Sequence, residues 1–335
     1  MKRLIASLLS IIVALFPGLV AGEKSRRFVS PPYGELSNAN SSENTKAVYR
    51  YICSVYKKNI LTGQQEYFQS PDNEINYIES VTGKLPAIRG MDFINDDFDG
   101  VVSRAKEWWE RGGIPTICWH CGSNFKNGYW ECLHSDIADW EAALTEGTPE
   151  YDALIAGIDK AAAALSELEE ADVPVLWRPF HELDGDWFWW GRGGARNYVK
   201  LWRIMYTRYT DHWGLDNLIW VLGYQARTET PELWYPGDGY VDIAGADSYY
   251  GGTQVLLYKR VELFIGNRKP ICFHETGTIP DMNKLQFWGA DWCYFMTWHT
   301  DYITDEKNNT KESLVKIYNS DYAITLDELP SFTGA

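Results

Sequence analysis

The chain lacks the marks of several large enzyme classes. No Gly-rich phosphate loop of the GxGxxG or GxxxxGKS kind follows the first β-prone run, so nucleotide binding has no support. No GxSxG nucleophile elbow occurs, which argues against a serine hydrolase. No HExxH or similar ligand spacing occurs either, so neither a catalytic metal nor another cofactor is expected. Basic residues are scarce, 31 Lys and Arg against 46 Asp and Glu, for a net charge of −15, which disfavours nucleic acid as a partner. Internal repeats, low-complexity tracts and Pro/Ser-rich linkers are absent, so nothing marks an appended module. There are only six cysteines, Cys53, Cys118, Cys121, Cys132, Cys272 and Cys293. Six allow about 15 pairings, of which Cys121 with Cys132 would close one loop. The CxxC of Cys118 and Cys121 has no second ligand pair and no thioredoxin-like context, so it carries neither a metal nor a redox reading.

Only the N-terminus has a long apolar run. Lys2 and Arg3 precede a mostly apolar stretch from Leu4 to Leu19, and Val20-Ala21-Gly22 ends it with small residues. This pattern predicts a signal peptide over 1–22, cleaved after Ala21 or Gly22, and a secreted protein, extracellular or periplasmic. The alternative is an uncleaved anchor, but the run is short and Pro17 and Gly18 interrupt it. Lys2 and Arg3 are the leader's only charges, so 29 of the 31 basic residues remain against 46 acids, a net charge of −17. No later segment is apolar enough to span a bilayer, so no membrane partner is expected after cleavage. Residues 23–335 then read as one catalytic domain, with a monomer as the simplest state.

Aromatic residues are abundant: 16 Trp, 21 Tyr and 13 Phe, whose flat faces suit sugar rings as well as cores. Short β-prone runs recur at 60–66, 85–93, 113–120, 173–182, 217–223, 241–250, 269–277 and 292–299. Several are continuously apolar, as expected of parallel strands buried on both faces. Amphipathic segments lie between them, including "FDGVVSRAKEWWERGG", a helix starting near Thr148 and another stopping at Gly214. Eight alternations in a chain of this length predict an α/β fold, a single (β/α)8 TIM barrel, with a doubly wound sheet as the alternative. Trp108, Trp109, Trp202 and Trp213 fall on helices and read as packing.

Catalytic groups of such barrels stand at the C-terminal ends of the strands. "WRPFHELDGDWFWWG" ends the fourth β-prone run and "PICFHETG" the seventh, and each carries Phe-His-Glu. Glu182 and Glu275 therefore face one mouth, and two carboxyl groups there are the minimum equipment for glycoside hydrolysis. The bland alternative is that each forms an ion pair with a barrel arginine such as Arg89 or Arg178. Trp187, Trp189 and Trp190 follow Glu182, and an apolar surround favours a protonated carboxyl, so Glu182 is the candidate acid/base and Glu275 the nucleophile. Strand alternation points His274 outward, against the helices, if Glu275 points inward.

"RPFHELDGDWFWWG" resembles the acid/base region of glycoside hydrolase family 26, best known for β-mannanases. "FHETG" is similar to its nucleophile strand, "GADSYY" to its sixth strand, "TWH" to its eighth and "CWH" to its third. The resemblance implies catalytic Glu182 and Glu275, with Tyr249 supporting the nucleophile. It implies a sugar site of His120, His181, Trp187 and Trp298. It further implies a retaining endo-β-1,4-mannanase acting on mannan, glucomannan or galactomannan. Mixed-linkage β-glucan, β-1,3-xylan and exo-action on mannan stay open alternatives, as does a barrel that binds polysaccharide without cutting it. Leu183-Asp184 departs from the family pattern, and Asp184 reads as either a sugar-binding edge or a turn cap.

Overall fold

The computed structural model describes residues 30–333 apart from 127 and 226, so the predicted leader lies outside the described residues. Eight parallel strands close into a barrel in sequence order. They are β1 Gly63–Gln65, β2 Ile88–Asp92, β3 Ile114–Cys118, β4 Val175–Arg178, β5 Leu218–Tyr224, β6 Ile243–Ser248, β7 Ile271–Thr276 and β8 Phe295–Thr297. Seven lie within the runs expected from the sequence, and β5 extends one residue beyond its run, to Tyr224. Gln64 pairs with Thr297 and closes the ring. Outside the barrel, Ile60–Leu61 pairs with Ala323–Ile324, so the chain's tail clasps the segment that enters β1.

The strands are buried almost throughout because helices cover the outside and side chains fill the inside. Helix Pro149–Glu170 shows why the coverage forms. The Thr148 hydroxyl accepts from the Tyr151 N–H, Pro149 occupies the first turn, and Glu150 and Asp152 favour the positive end of the helix dipole. Its buried face carries Leu154, Ile158, Leu165 and Leu168. Trp108 and Trp202 are fully buried, while Trp109 and Trp213 pack half-buried at the rim of the core.

Two expectations are corrected. All six cysteines are buried free thiols, so Cys121 and Cys132 are not bridged. His274 does not face the helices. In the β6–β7 ladder Ala246 pairs with Phe273 and Asp247 with Glu275, which leaves His274 as an extra, bulged residue. Phe273 points outward and stacks on Trp292 at 4.8 Å. His274 points inward, its Nε2 3.0 Å from the Tyr224 carbonyl oxygen and its Nδ1 3.3 Å from Arg178 Nη1. The bulge breaks strict alternation, so both His274 and Glu275 face the interior.

The β6–β7 ladder depends on Gly245, where a Cβ would lie 2.4 Å from the Cys272 carbonyl oxygen. Backbone cannot yield there, so Gly245→Ala is expected to cost about 1–3 kcal/mol and to lower the thermal midpoint by several degrees in calorimetry.

Candidate active site

The acid/base segment leaves β4 through a strained turn. Phe180 and Glu182 both have left-handed backbone, with φ of 48° and 52°. Such non-glycine residues persist only where the surroundings hold them. Here Tyr198 Oη donates to the Phe180 carbonyl at 3.1 Å, Trp190 Nε1 to the His181 carbonyl at 2.8 Å, and Leu183 N to the Gly223 carbonyl at 3.1 Å. The result departs from strand alternation: Glu182 lines the mouth while His181 lies buried beside Glu275.

Glu182, Glu275, His120, Tyr249 and Trp298 line one cleft of about 430 Å³, together with Gln65, Tyr67, Asp92, Tyr129, Phe188, His299 and Tyr302. Glu275 accepts on both oxygens: Arg178 Nη1 reaches Oε2 at 2.9 Å, and Tyr249 Oη donates a short hydrogen bond to Oε1. Arg178 is buried and fully committed to the barrel interior. Arg89, by contrast, pairs with Glu66 at 2.8 Å and Asp72 at 2.8 Å, away from the two glutamates. The arginine pairing expected as a bland alternative thus exists for Glu275, but its geometry equally suits a nucleophile.

Glu182 has the opposite environment. Burial and then the nearby Glu275 charge raise its pKa to about 6, against the pull of the Asp247 and Trp187 hydrogen bonds and of His120. Trp187 Nε1 donates to Glu182 Oε2 at 2.5 Å. Trp187, partly exposed beside the cleft, contacts the site through this hydrogen bond to Glu182.

His120 is buried and its Nδ1 lies 2.5 Å from Asp92 Oδ2, while its backbone N–H donates to Asp92 Oδ1 at 3.0 Å. Burial disfavours the imidazolium, but Asp92 outweighs it and His120 titrates above its usual value. His181 is held well below its usual value by burial, by Arg178 and by the neighbouring histidines, so it is neutral. Its Nε2 is 4.0 Å from Glu275 Oε2, and neither ring nitrogen has a hydrogen-bond partner among the described residues. This buried imidazole therefore stands unsatisfied beside Glu275, behind the residues that line the cleft.

Two acids were not picked out from the sequence. Asp92 ends β2, a strand-end position that the barrel rule marks as site-facing. Asp247, inside "GADSYY", is fully buried, and its pKa is pushed well up by desolvation and by the charges of Glu182 and Glu275. Its carboxyl lies against that of Glu182, and a hydrogen bond between the two favours a protonated Asp247 and an ionised Glu182. Asp92, Cys118 and His120 bring ligand atoms within 4.8 Å of one another, the trio among the described residues that could hold a cation. The Asp92–His120 hydrogen bond already satisfies two of the three, and burial pushes the Cys118 thiol well up.

Comparison with known proteins fits this geometry. The family model for glycosyl hydrolase family 26 matches residues 37–328. The chain belongs to glycosyl hydrolase family 26. A mannan endo-1,4-β-mannosidase of Thermothelomyces thermophilus is 34% identical over 88% of this chain and 63% of its own length. A ruminal family 26 endo-β-1,4-mannanase structure has a TM-score of 0.83 at 33% identity, covering 90% of this chain and 72% of that one. A β-mannanase from a symbiotic protist of the termite Reticulitermes speratus, solved with a gluco-manno-oligosaccharide, has a TM-score of 0.82 at 29% identity, covering 90% of this chain and 99% of that one. The chain spans less than two thirds of the length of the first curated relatives it matches.

Tyr249→Phe removes a donor to Glu275 while leaving the ring in place. A hydrogen bond to a charged group contributes about 1.5–3 kcal/mol, so kcat is expected to fall roughly 10- to 150-fold in steady-state assays of glycoside cleavage, with the fold unchanged by circular dichroism.

Proposed function

We propose that this protein is a secreted, monomeric retaining endo-β-1,4-mannanase, exported by the leader at 1–22. One observation carries the mechanism: Glu182, raised to about 6, faces a Glu275 that accepts hydrogen bonds from Arg178 and Tyr249. The substrate rests on the relatives, whose names place mannan cleavage in this family at about a third identity.

In the first step a Glu275 oxygen attacks the anomeric carbon. The glycosidic C–O bond breaks as Glu182 gives its proton to the leaving oxygen, and a glycosyl ester forms on Glu275. In the second step Glu182, now ionised, takes a proton from water. The water oxygen bonds to the anomeric carbon and the ester is released. Developing positive charge on the sugar is matched by the Glu275 carboxylate, which Arg178 and Tyr249 hold in place through a hydrogen bond on each oxygen. Trp298, half-buried at the end of β8, offers a ring to the sugar's C–H face. The Asp92-held His120 presents a ring nitrogen to its hydroxyls.

The decisive assay follows early products by proton NMR on glucomannan, galactomannan, barley β-glucan and β-1,3-xylan in parallel. A ladder of manno-oligosaccharides whose new reducing ends appear first as the β-anomer is the expected result; α-anomers first, or cleavage of β-glucan or β-1,3-xylan alone, would contradict the mechanism or the substrate. Mannobiose alone from the start would make the action exo. Glu182→Ala is expected to lower kcat about 10²- to 10⁴-fold. Wild-type activity requires protonated Glu182, so kcat/KM is expected to decline as pH rises through about 6, measured by initial rates across a buffer series.

A further inference from the structure

The loop after β5 carries groups that no part of this mechanism uses. Asp184, the departure from the family pattern, is neither a free sugar-binding edge nor a simple cap of its own turn. Its Oδ1 accepts from Gln225 N at 2.7 Å and its Oδ2 from Thr228 N at 2.9 Å, so it ties the acid/base loop to the loop after β5. That tie brings Arg227 over Trp187, with the guanidinium carbon 5.2 Å from the ring centroid. The same indole rests against Gly185, where a Cβ would come within 2.5 Å of the ring. Arg227 also approaches Asp186 at 3.5 Å, but these side chains are 58% and 90% exposed, so that pair contributes little. The stacking contact is therefore the one with directional content.

We propose that Arg227 is a positioning residue for the acid/base: by covering Trp187 it holds the indole where its N–H stays on Glu182 Oε2. The proposal rests on the reading of Glu182 as the acid/base. Loosening the indole weakens a hydrogen bond that favours the ionised carboxylate, so Glu182 would bind its proton more tightly. The other groups facing Glu182 come from four different strands and loops: Glu275, Asp247, Tyr249, His120 and Tyr129. None of them touches Arg227 in the structure, whose charged neighbour is Asp186. A substitution at 227 therefore reads out through Trp187.

The test is a carbon-13 NMR titration of Glu182 in the free protein labelled at glutamate carboxyls, assigned with Glu182→Gln. An exposed cation–π contact is worth about 0.5–1 kcal/mol, so Arg227→Ala is expected to raise the Glu182 titration midpoint by roughly 0.3–0.7 of a pH unit. The decline of kcat/KM on mannan near pH 6 should move to higher pH by the same amount. Arg227→Lys keeps the charge but not the planar stack and should move the midpoint the same way by less. In a Trp187→Phe background, Arg227→Ala should move nothing further. An unmoved midpoint in Arg227→Ala, or an equal shift in the Trp187→Phe background, would overturn the proposal. The titration needs no substrate, so it stands or falls apart from the mannanase reading, which is judged by wild-type product formation. Arg227 is largely exposed, and unchanged thermal unfolding of the variants would exclude a folding defect as the cause.

Discussion

Two carboxyl groups in one largely dry cleft cannot both be ionised without cost, and the site is arranged around that constraint. The Glu275 charge makes ionising Glu182 harder, so the surroundings of Glu182 decide when it gives up its proton. Arg178 and Tyr249 lie on Glu275, whereas Glu182 has burial, one indole N–H and the coupled acid Asp247. The asymmetry separates the two roles before any substrate arrives. It also explains why a fully buried arginine is tolerated inside the barrel, since Glu275 and His274 surround its guanidinium.

The backbone supports this asymmetry with two irregularities. A left-handed turn after β4 brings Glu182 to the mouth with His181 buried behind it, and a bulge in β7 brings Glu275 there with His274 facing the barrel interior. A regular barrel would have turned one residue of each pair away. Both irregularities sit at strand ends beside the reacting groups, where departures from ideal geometry serve function. The repeated Phe-His-Glu thus arises from two different local structures, and its two histidines differ in use. His181 lies buried beside Glu275. His274 lies deeper, between Arg178 and the Tyr224 carbonyl.

Much of this was legible in the residues. Apolar runs separated by capped amphipathic segments were enough to place all eight strands, because a parallel barrel buries each strand on both faces. Glu182, Glu275, Tyr249, His120 and Trp298 were legible because strand ends converge on one mouth and because the motifs resemble family 26. The inward turn of His274 was not, since alternation holds only for unbulged strands. Trp187 was read as a sugar platform; that its indole N–H also donates to Glu182 was not legible, because the contact depends on the path of the turn between them. Asp92 and Asp247 are single acids in short strands, and only the register shows that each faces a titrating partner.

The central claim is that Glu275 becomes covalently bonded to sugar while Glu182 handles protons. The most direct test is to trap that species with a 2-fluoro-mannoside bearing a good leaving group, then locate the label by peptide mass spectrometry. The account predicts a stoichiometric adduct on Glu275, formed faster in wild type than in Tyr249→Phe. An adduct on Glu182, or turnover with no covalent species under conditions that slow the second step, would contradict it.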